Sequence, residues 1–265
     1  MRIKSIASGS SGNAAYIGTD NTHILVDCGI SRKRITEGLK EAGLSLEDID
    51  AILITHEHAD HIASVGVIER TRKIPLYATR GTFEGICAAK GCGDFEKGVF
   101  NAIGAGQSFS IGDITIRALP VLHDAAEPVC FRFDANGKSA AIVTDLGDFD
   151  ETLVAGLQGL NGIIIEANHD IRMLEAGRYP YPVKQRILGR YGHLSNERGG
   201  QLLNLLLNDG LSSVTLGHIS TENNTRELAR LAVAGEIDRA DNPYRSSDWE
   251  IMTASQNHSL ELTEL

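Results

Sequence analysis

Four side chains able to hold a metal ion fall within six residues, His56-Glu-His-Ala-Asp-His61, directly after the apolar run AILIT at 51–55. Leaving a strand in an extended segment, His56 and His58 point to one side and can bite one ion. Asp60 and His61, which open the next helix, point across to a second. Three further candidates stand where apolar runs end: His123 after RALPVL, Asp145 after AAIVT and His218 after SSVTLG. Taken singly, each is an ordinary turn residue or a satisfied histidine. Together with the cluster they make five histidines and two aspartates, enough for two divalent ions per chain with Asp145 shared between them. No cysteine belongs to the set. Structural zinc sites are closed and thiolate-rich, whereas nitrogen and oxygen ligands leave positions for water, so this set points to catalysis. Zinc, manganese and iron all accept such ligands, and the residue types do not choose among them.

The elements that must position these residues are legible from apolar periodicity. AAYIGT and THILVD are expected as paired strands, and SRKRITEGLKEAG as a helix closed by Gly43. A strand over AILIT, an amphipathic helix over ASVGVIERTRK, a strand at PLYAT and a short helix around TFEGICAAKG follow. From 99 to 144 the pattern is mainly strands, VFNAI, QSFSI, DITIRALPV, VCFRFD and SAAIVT, with Asn136-Gly137 as a tight hairpin turn. Strands at GIIIEA and SSVTLGH then alternate with helices at 195–208 and 225–236. Two sheets that each carry helices on one side imply an α/β fold of the four-layer αββα sandwich type, read as one domain over residues 1–265. DIDAILITHEHAD and LNGIIIEANHD both run from a strand into a polar, histidine-bearing loop, as two related halves meeting at one site would, or as two buried strands would by chance.

Composition bounds the rest. With 42% apolar and 23% charged residues, the chain is long enough for a sizeable core. Neither a signal-like apolar segment at the start nor a run long enough to span a bilayer is visible, so the expected location is cytoplasmic. Cysteines at 28, 87, 92 and 130 show no CxxC spacing and are expected as inert thiols in a reducing compartment. A net charge of −10 argues against a general nucleic-acid coat, though not against a local basic groove.

THEHADH, the later His123, Asp145 in IVTDLGD and the terminal His218 resemble the metallo-β-lactamase fold superfamily, and the likeness spans the chain. Asp27 in LVDCG resembles the aspartate which that family places behind the metal ligands. SGSSGNAAYIG, EANHD and GHLSN are similar to the YycJ/WalJ-type subgroup, which implies a DNA exonuclease of the 5′-to-3′ type. True β-lactamases of this fold use a cysteine where Asp145 stands and lack the histidine at 61. The interval from Asp145 to His193 is too short for an inserted β-CASP domain, and the chain after His218 too short for a glyoxalase II helical domain.

His193, in YGHLSNERG, competes with His218 for the last ligand position. His218 ends a strand, the rigid placement a ligand needs. His193 lies in a loop before a helix with Ser195 as its expected N-cap, and so is free to donate a proton. The resemblance of GHLS to the tRNase Z-like branch implies the same role; the other reading is a loop histidine bonded only to backbone. Between 172 and 198, six basic residues stand against two acidic ones, and Tyr179, Tyr181 and Tyr191 lie among them. Charge interleaved with flat aromatic faces suits a nucleic-acid strand, or else a solvated helix face. Tyr179, Lys184, Arg186 and Arg190 are the expected substrate contacts there, and Ser10 and Asn13 in Ser8-Gly-Ser-Ser-Gly-Asn13 the expected contacts for a phosphate oxygen. His169 and Asp170 carry no assigned role.

The expected activity is therefore metal-dependent phosphodiester hydrolysis on DNA. A metal-held hydroxide attacks phosphorus, Asp60 helps orient it, and His193 acts as general acid. The alternatives are hydrolysis of an ester, lactone or thioester with the same metals, and a non-catalytic, metal-stabilised nucleic-acid-binding or signalling module. Native metal, cleavage polarity and oligomeric state are not legible.

Overall fold

The computed structural model describes residues 1–89 and 98–265. The chain opens with strands β1 (Arg2–Ala7), β2 (Ala14–Gly18) and β3 (His23–Val26), then helix α1 (Arg32–Glu41) and strand β4 (Ala51–Leu53). Helices α2 (Ala59–Ile62) and α3 (Val65–Arg72), strand β5 (Leu76–Ala78), helix α4 (Arg80–Ala88) and strand β6 (Phe100–Ala102) complete the first half. The strand block follows as β7 (Ser108–Ile111), β8 (Ile114–Pro120), β9 (Val129–Ala135) and β10 (Lys138–Val143). After it come α5 (Glu151–Gly156), β11 (Gly162–Glu166), α6 (Ile171–Ala176), α7 (Tyr181–Leu188), α8 (Asn196–Leu206), β12 (Ser213–Gly217), α9 (Arg226–Arg239), β13 (Ile251–Thr253) and β14 (Thr263–Glu264).

Two seven-stranded sheets result, ordered β14-β1-β2-β3-β4-β5-β6 and β13-β12-β11-β10-β9-β8-β7. Alternation along each strand explains the four layers. In β3, Leu25 faces an outer core with Ile35 and Leu39 of α1, while Ile24 and Val26 face inward. In β11, Ile163 and Ile165 join Leu202 and Leu206 of α8 and Val233 of α9, while Ile164 faces inward. The central core packs Ile17, Ile24 and Leu53 of the first sheet against Ile116, Phe131 and Phe133 of the second. Both faces of each sheet are thus buried, as the apolar runs require.

The expected elements are present, and Asn136 and Gly137 both have positive φ, 54° and 73°, as the two-residue turn between β9 and β10 demands. The helix expected around TFEGICAAKG begins earlier, at Arg80, and the last two residues of that segment, like Cys92, lie outside the described residues. Helices α5, α6 and α7 and the edge strand β13 were not expected; each is six to eight residues or shorter, too brief for a periodic pattern to stand out. Among the described residues no helix is long and apolar enough to cross a membrane.

Strands β3, β4 and β5 pair in parallel, as do β10, β11 and β12, so their carboxyl ends lie at one rim. Asp27, His56, Asp145 and His218 all follow such ends, the position where ligands bind in open α/β sheets. Three of them, Asp27, Asp145 and His218, adopt left-handed backbone with φ of 59°, 61° and 52°. That conformation is uncommon for non-glycine residues and gathers at functional sites. Behind them Gly29 lies against the Asp60 carbonyl so closely that a Cβ would come within 1.5 Å of its oxygen. Gly29→Ala is therefore expected to push α2 outward and cost stability at or above the upper end of the about 1–3 kcal/mol usual for overpacking. Thermal unfolding checks this; an unchanged melting temperature would show that the approach is not tight.

Candidate metal centre

Two groups of ligands face each other across Asp145. The first is His56, His58 and His123, and the second Asp60, His61 and His218; Asp145 also groups with His56 and His61, and with Glu166, His193 and His218. In the first, Nδ1 of His58 lies 3.2 Å from Nε2 of His123. Two nitrogens bound tetrahedrally to one zinc at about 2.0–2.1 Å would be separated by nearly this distance. The outward nitrogens are anchored: His56 Nδ1 lies 3.0 Å from Thr55 Oγ1, and His123 Nδ1 donates to the Gly192 carbonyl at 3.1 Å. In the second group, His61 Nδ1 donates to Asp27 Oδ2 at 2.9 Å and His218 Nδ1 to Glu166 Oε1 at 2.8 Å. Their Nε2 atoms then approach Asp60 Oδ2 at 3.5 and 3.6 Å. Asp145 lies between the groups, Oδ2 at 3.2 Å from His61 Nε2 and Oδ1 at 3.9 Å from His123 Nε2.

Three buried atoms here, His56 Nε2, His218 Nε2 and Asp145 Oδ2, have no hydrogen-bond partner among the described residues. An unsatisfied buried polar group costs about 1–3 kcal/mol, so their convergence is costly unless something else binds them. The donor set, imidazole and carboxylate without thiolate, fits divalent metal ions. These residues could hold such ions.

Electrostatics agrees. Burial disfavours charge on His61, but Asp145 and Asp27 outweigh it and hold the imidazole well above its usual value. Burial likewise opposes the charge on His218, yet Asp145, Asp60 and Glu166 lift it to about 10. Burial would raise the carboxyls too, but Asp145 is held well below the usual range by His218, His61 and His56. Asp60 is held down by His218 and His61, and Glu166 falls to about 2 beside His193 and His218. Buried and surrounded by other imidazoles, His56 is pushed well below its usual value. In the metal-free protein, protons on His61 and His218 thus stand in for cations.

Glu166 was not singled out as a site residue from the sequence. It is fully buried at the end of β11, where Oε2 accepts from the Leu146 and Leu194 amides and Oε1 from both His193 and His218. Its signals were a carboxylate closing the apolar strand GIIIE and its place at the head of the EANHD motif. Asp27 occupies the supporting place that the resemblance implied, bonded to His61 and to the Thr55 amide. His193 lies between the groups, its ring centroid 5.1 Å from that of His123 and 5.0 Å from that of His218. Its Nδ1 is 2.9 Å from Glu166 Oε1. Ser195 caps α8 by accepting from the Arg198 amide. Asp170 caps α6. His169, buried and brought down to about 4 by that burial, joins none of the candidate ligand groups.

The expected substrate contacts are placed less uniformly. Ser10 and Arg190 are exposed and Tyr179 is half-buried. Asn13 differs from expectation: it is buried, its carbonyl oxygen accepting from the Gly9 amide and its NH2 lying 3.3 Å from Asp60 Oδ2 and 3.0 Å from His61 Nε2. It braces the second ligand group instead of facing solvent. Lys184 turns back to donate to the Glu175 carbonyl, and Arg186 forks onto Asp124. None of the residues of α7 is buried, and Tyr181, Leu188 and Tyr191 are exposed beside the centre.

Residues 22–219 match a family described as the Beta-lactamase superfamily domain. Over 260 residues the chain is 38% identical to the exodeoxyribonuclease WalJ of Streptococcus pneumoniae, spanning 98% of this chain and 96% of that one. It is 38% identical over 234 residues to the exodeoxyribonuclease YycJ of Bacillus anthracis, 88% of each chain. The metallo-β-lactamase fold protein YhfI of Bacillus subtilis shares the fold, with a TM-score of 0.71 at 16% identity over 98% of both chains.

A cation must displace protons from His61 and His218, so metal binding is expected to release protons and to tighten as pH rises toward the His218 value of about 10. Calorimetry in buffers of different ionisation enthalpy measures this. Binding at neutral pH with no proton release would show that these two imidazoles are already neutral in the metal-free protein. Asp145→Ala is expected to empty both groups; metal analysis finding two ions per chain in that variant would remove Asp145 from the shared position.

Proposed function

The chain belongs to the β-lactamase superfamily, and from that premise we propose that it is a metal-dependent exodeoxyribonuclease, hydrolysing phosphodiester bonds of DNA. The observation that carries this reading is His193, held between the two ligand groups with one nitrogen on Glu166. A departing alkoxide needs the proton that this imidazole is placed to give; esters and lactones leave the same way, so the choice of a phosphodiester over them rests on the 38% identity to proteins named exodeoxyribonucleases.

His56, His58 and His123 would hold one ion and Asp60, His61 and His218 a second, with Asp145, 3.2 Å from His61 Nε2 and 3.9 Å from His123 Nε2, placed to serve both. When bound, the ions would supply Lewis acidity and lower the pKa of water. Asp60, with Oδ2 directed at the His61 and His218 nitrogens, orients the attacking water. Attack forms a new P–O bond in line with the one that breaks. The departing oxygen takes the proton from Nε2 of His193, the nitrogen opposite its bond to Glu166. That carboxylate accepts from Nδ1 throughout and so fixes the orientation of the ring, with Nε2 as the free nitrogen. The 38% identity to proteins named exodeoxyribonucleases over nearly the whole chain supports DNA as substrate. So does the exposed arm from α6 through Tyr191, with Arg172, Arg178 and Arg190 exposed in a chain of net charge −10.

His193→Ala is expected to retain metal and fold while slowing DNA hydrolysis by about 10²–10⁴-fold. His218→Ala should lose metal. The reverse pattern, measured by metal analysis and turnover of end-labelled strands, would exchange the two roles. Arg190→Ala is expected to weaken DNA binding and reduce its salt slope by about one, with little effect on bis(p-nitrophenyl) phosphate. Fast lactone or thioester turnover with no phosphodiester cleavage would refute the nuclease reading.

A further inference from the structure

Among the described residues, four of the five histidines in the ligand groups have a close partner on the nitrogen that faces outward. Thr55 serves His56, Asp27 serves His61, Gly192 serves His123 and Glu166 serves His218. His58 differs. Its Nδ1 faces His123, and its outward Nε2 lies 4.0 Å from Asp124 Oδ1, beyond hydrogen-bond reach, that oxygen being also 3.6 Å from His123 Nε2. Asp124 is engaged elsewhere. The Arg186 guanidinium forks onto both of its oxygens, Nη2 at 2.9 Å from Oδ1 and Nε onto Oδ2. Asp124 is one-third exposed and Arg186 half-exposed, and Arg186 rides on α7, none of whose residues is buried. Neither partner is locked in place by packing.

We propose that Asp124 is a positioning residue for His58, held in reserve by Arg186, and that a phosphate group of the substrate releases it. The inference rests on the phosphodiesterase reading above. A guanidinium grips phosphate with the same two-pronged geometry that it offers a carboxylate, so one anion replaces the other with little rearrangement. Once Arg186 turns to the phosphate, a shift of about 1 Å brings Asp124 within reach of the His58 Nε2 hydrogen. A carboxylate on the far nitrogen fixes the tautomer and raises the basicity of the ligating one, an effect worth about 10–100-fold in metal affinity. Substrate arrival thereby tightens the hold of the first ligand group on its ion, and the ion tightens the hold on substrate by the same factor.

Loss of Arg186 and loss of Asp124 change the local charge in opposite senses, so the deciding comparison is between the equally charged variants Asp124→Asn and Asp124→Ala. Zinc affinity, measured by competition with a chromophoric chelator, separates the two. Without nucleotide, Arg186→Gln is expected to bind zinc about 10–100-fold more tightly than Asp124→Ala, because only the former keeps a carboxylate free for His58. Asp124→Asn retains an acceptor oxygen but loses the charge that holds Arg186. It should follow Arg186→Gln, although simple loss of a negative charge would weaken cation binding. Equal zinc affinities in Asp124→Asn and Asp124→Ala would overturn the positioning role. A non-hydrolysable dithymidine phosphorothioate should then tighten zinc binding more in the wild type than in Asp124→Ala or Arg186→Gln. Equal tightening in all three would overturn the phosphate release. The zinc comparison needs no nuclease activity, so the nuclease reading can fail in the end-labelled strand assay while the positioning role stands. Circular dichroism melts confirm that each variant is folded.

Discussion

The charge balance of one buried centre governs this protein. Asp27, Asp145 and Glu166 are almost wholly removed from water, and Asp60 is largely so, within a ring of histidines. Isolated carboxylates cannot be buried at tolerable cost. Asp27, Asp60 and Glu166 each accept a hydrogen bond, whereas Asp145 Oδ2, like Nε2 of His56 and of His218, has no hydrogen-bond partner among the described residues. In the absence of cations, raised histidine pKa values fill the deficit with protons. Divalent ions solve the same problem without consuming a titratable group, which is why the centre reads as a metal site and not as an ion-pair network.

Holding so many charges in register requires a rigid frame, and the parallel strands supply it. Their carboxyl ends meet at one rim, and the turns that leave them bend sharply enough to need left-handed backbone at Asp27, Asp145 and His218. Such backbone costs energy and persists only where the surroundings over-determine it. Here three cores, two outer and one central, surround it. Gly29 allows the Asp27 turn to pass directly against Asp60, so the supporting aspartate and the ligand loop form one packed unit.

Outside that unit the structure changes character. The α6–α7 arm has little burial, exposes tyrosines and arginines, and touches the centre through Arg186 on Asp124 and through backbone bonds from Asp124 to Tyr191 and from His193 to Ile187. A buried centre beside an exposed arm that carries arginines and tyrosines suits a DNA substrate, whose phosphates meet the charge and whose bases meet the aromatic faces.

The sequence by itself determined the fold class and the cluster of imidazoles and carboxylates from which ligands could be drawn. Buried strands write their alternation as long apolar runs, and a cluster such as HEHADH at the end of one is too dense to be incidental. The Asn136-Gly137 hairpin and the Ser195 cap were legible for the same reason: each is decided by neighbours in the chain. Only the tertiary structure decided which nitrogen of each histidine faces inward, that Glu166 ties His193 to His218, that Asn13 is spent bracing Asp60 and His61, and that Arg186 is held by Asp124. Those are contacts between residues far apart in sequence, and their partners are chosen by where strand ends meet in space. Periodicity, capping and motif spacing are local, whereas the hydrogen bonds that give each side chain its role join separate elements of the fold.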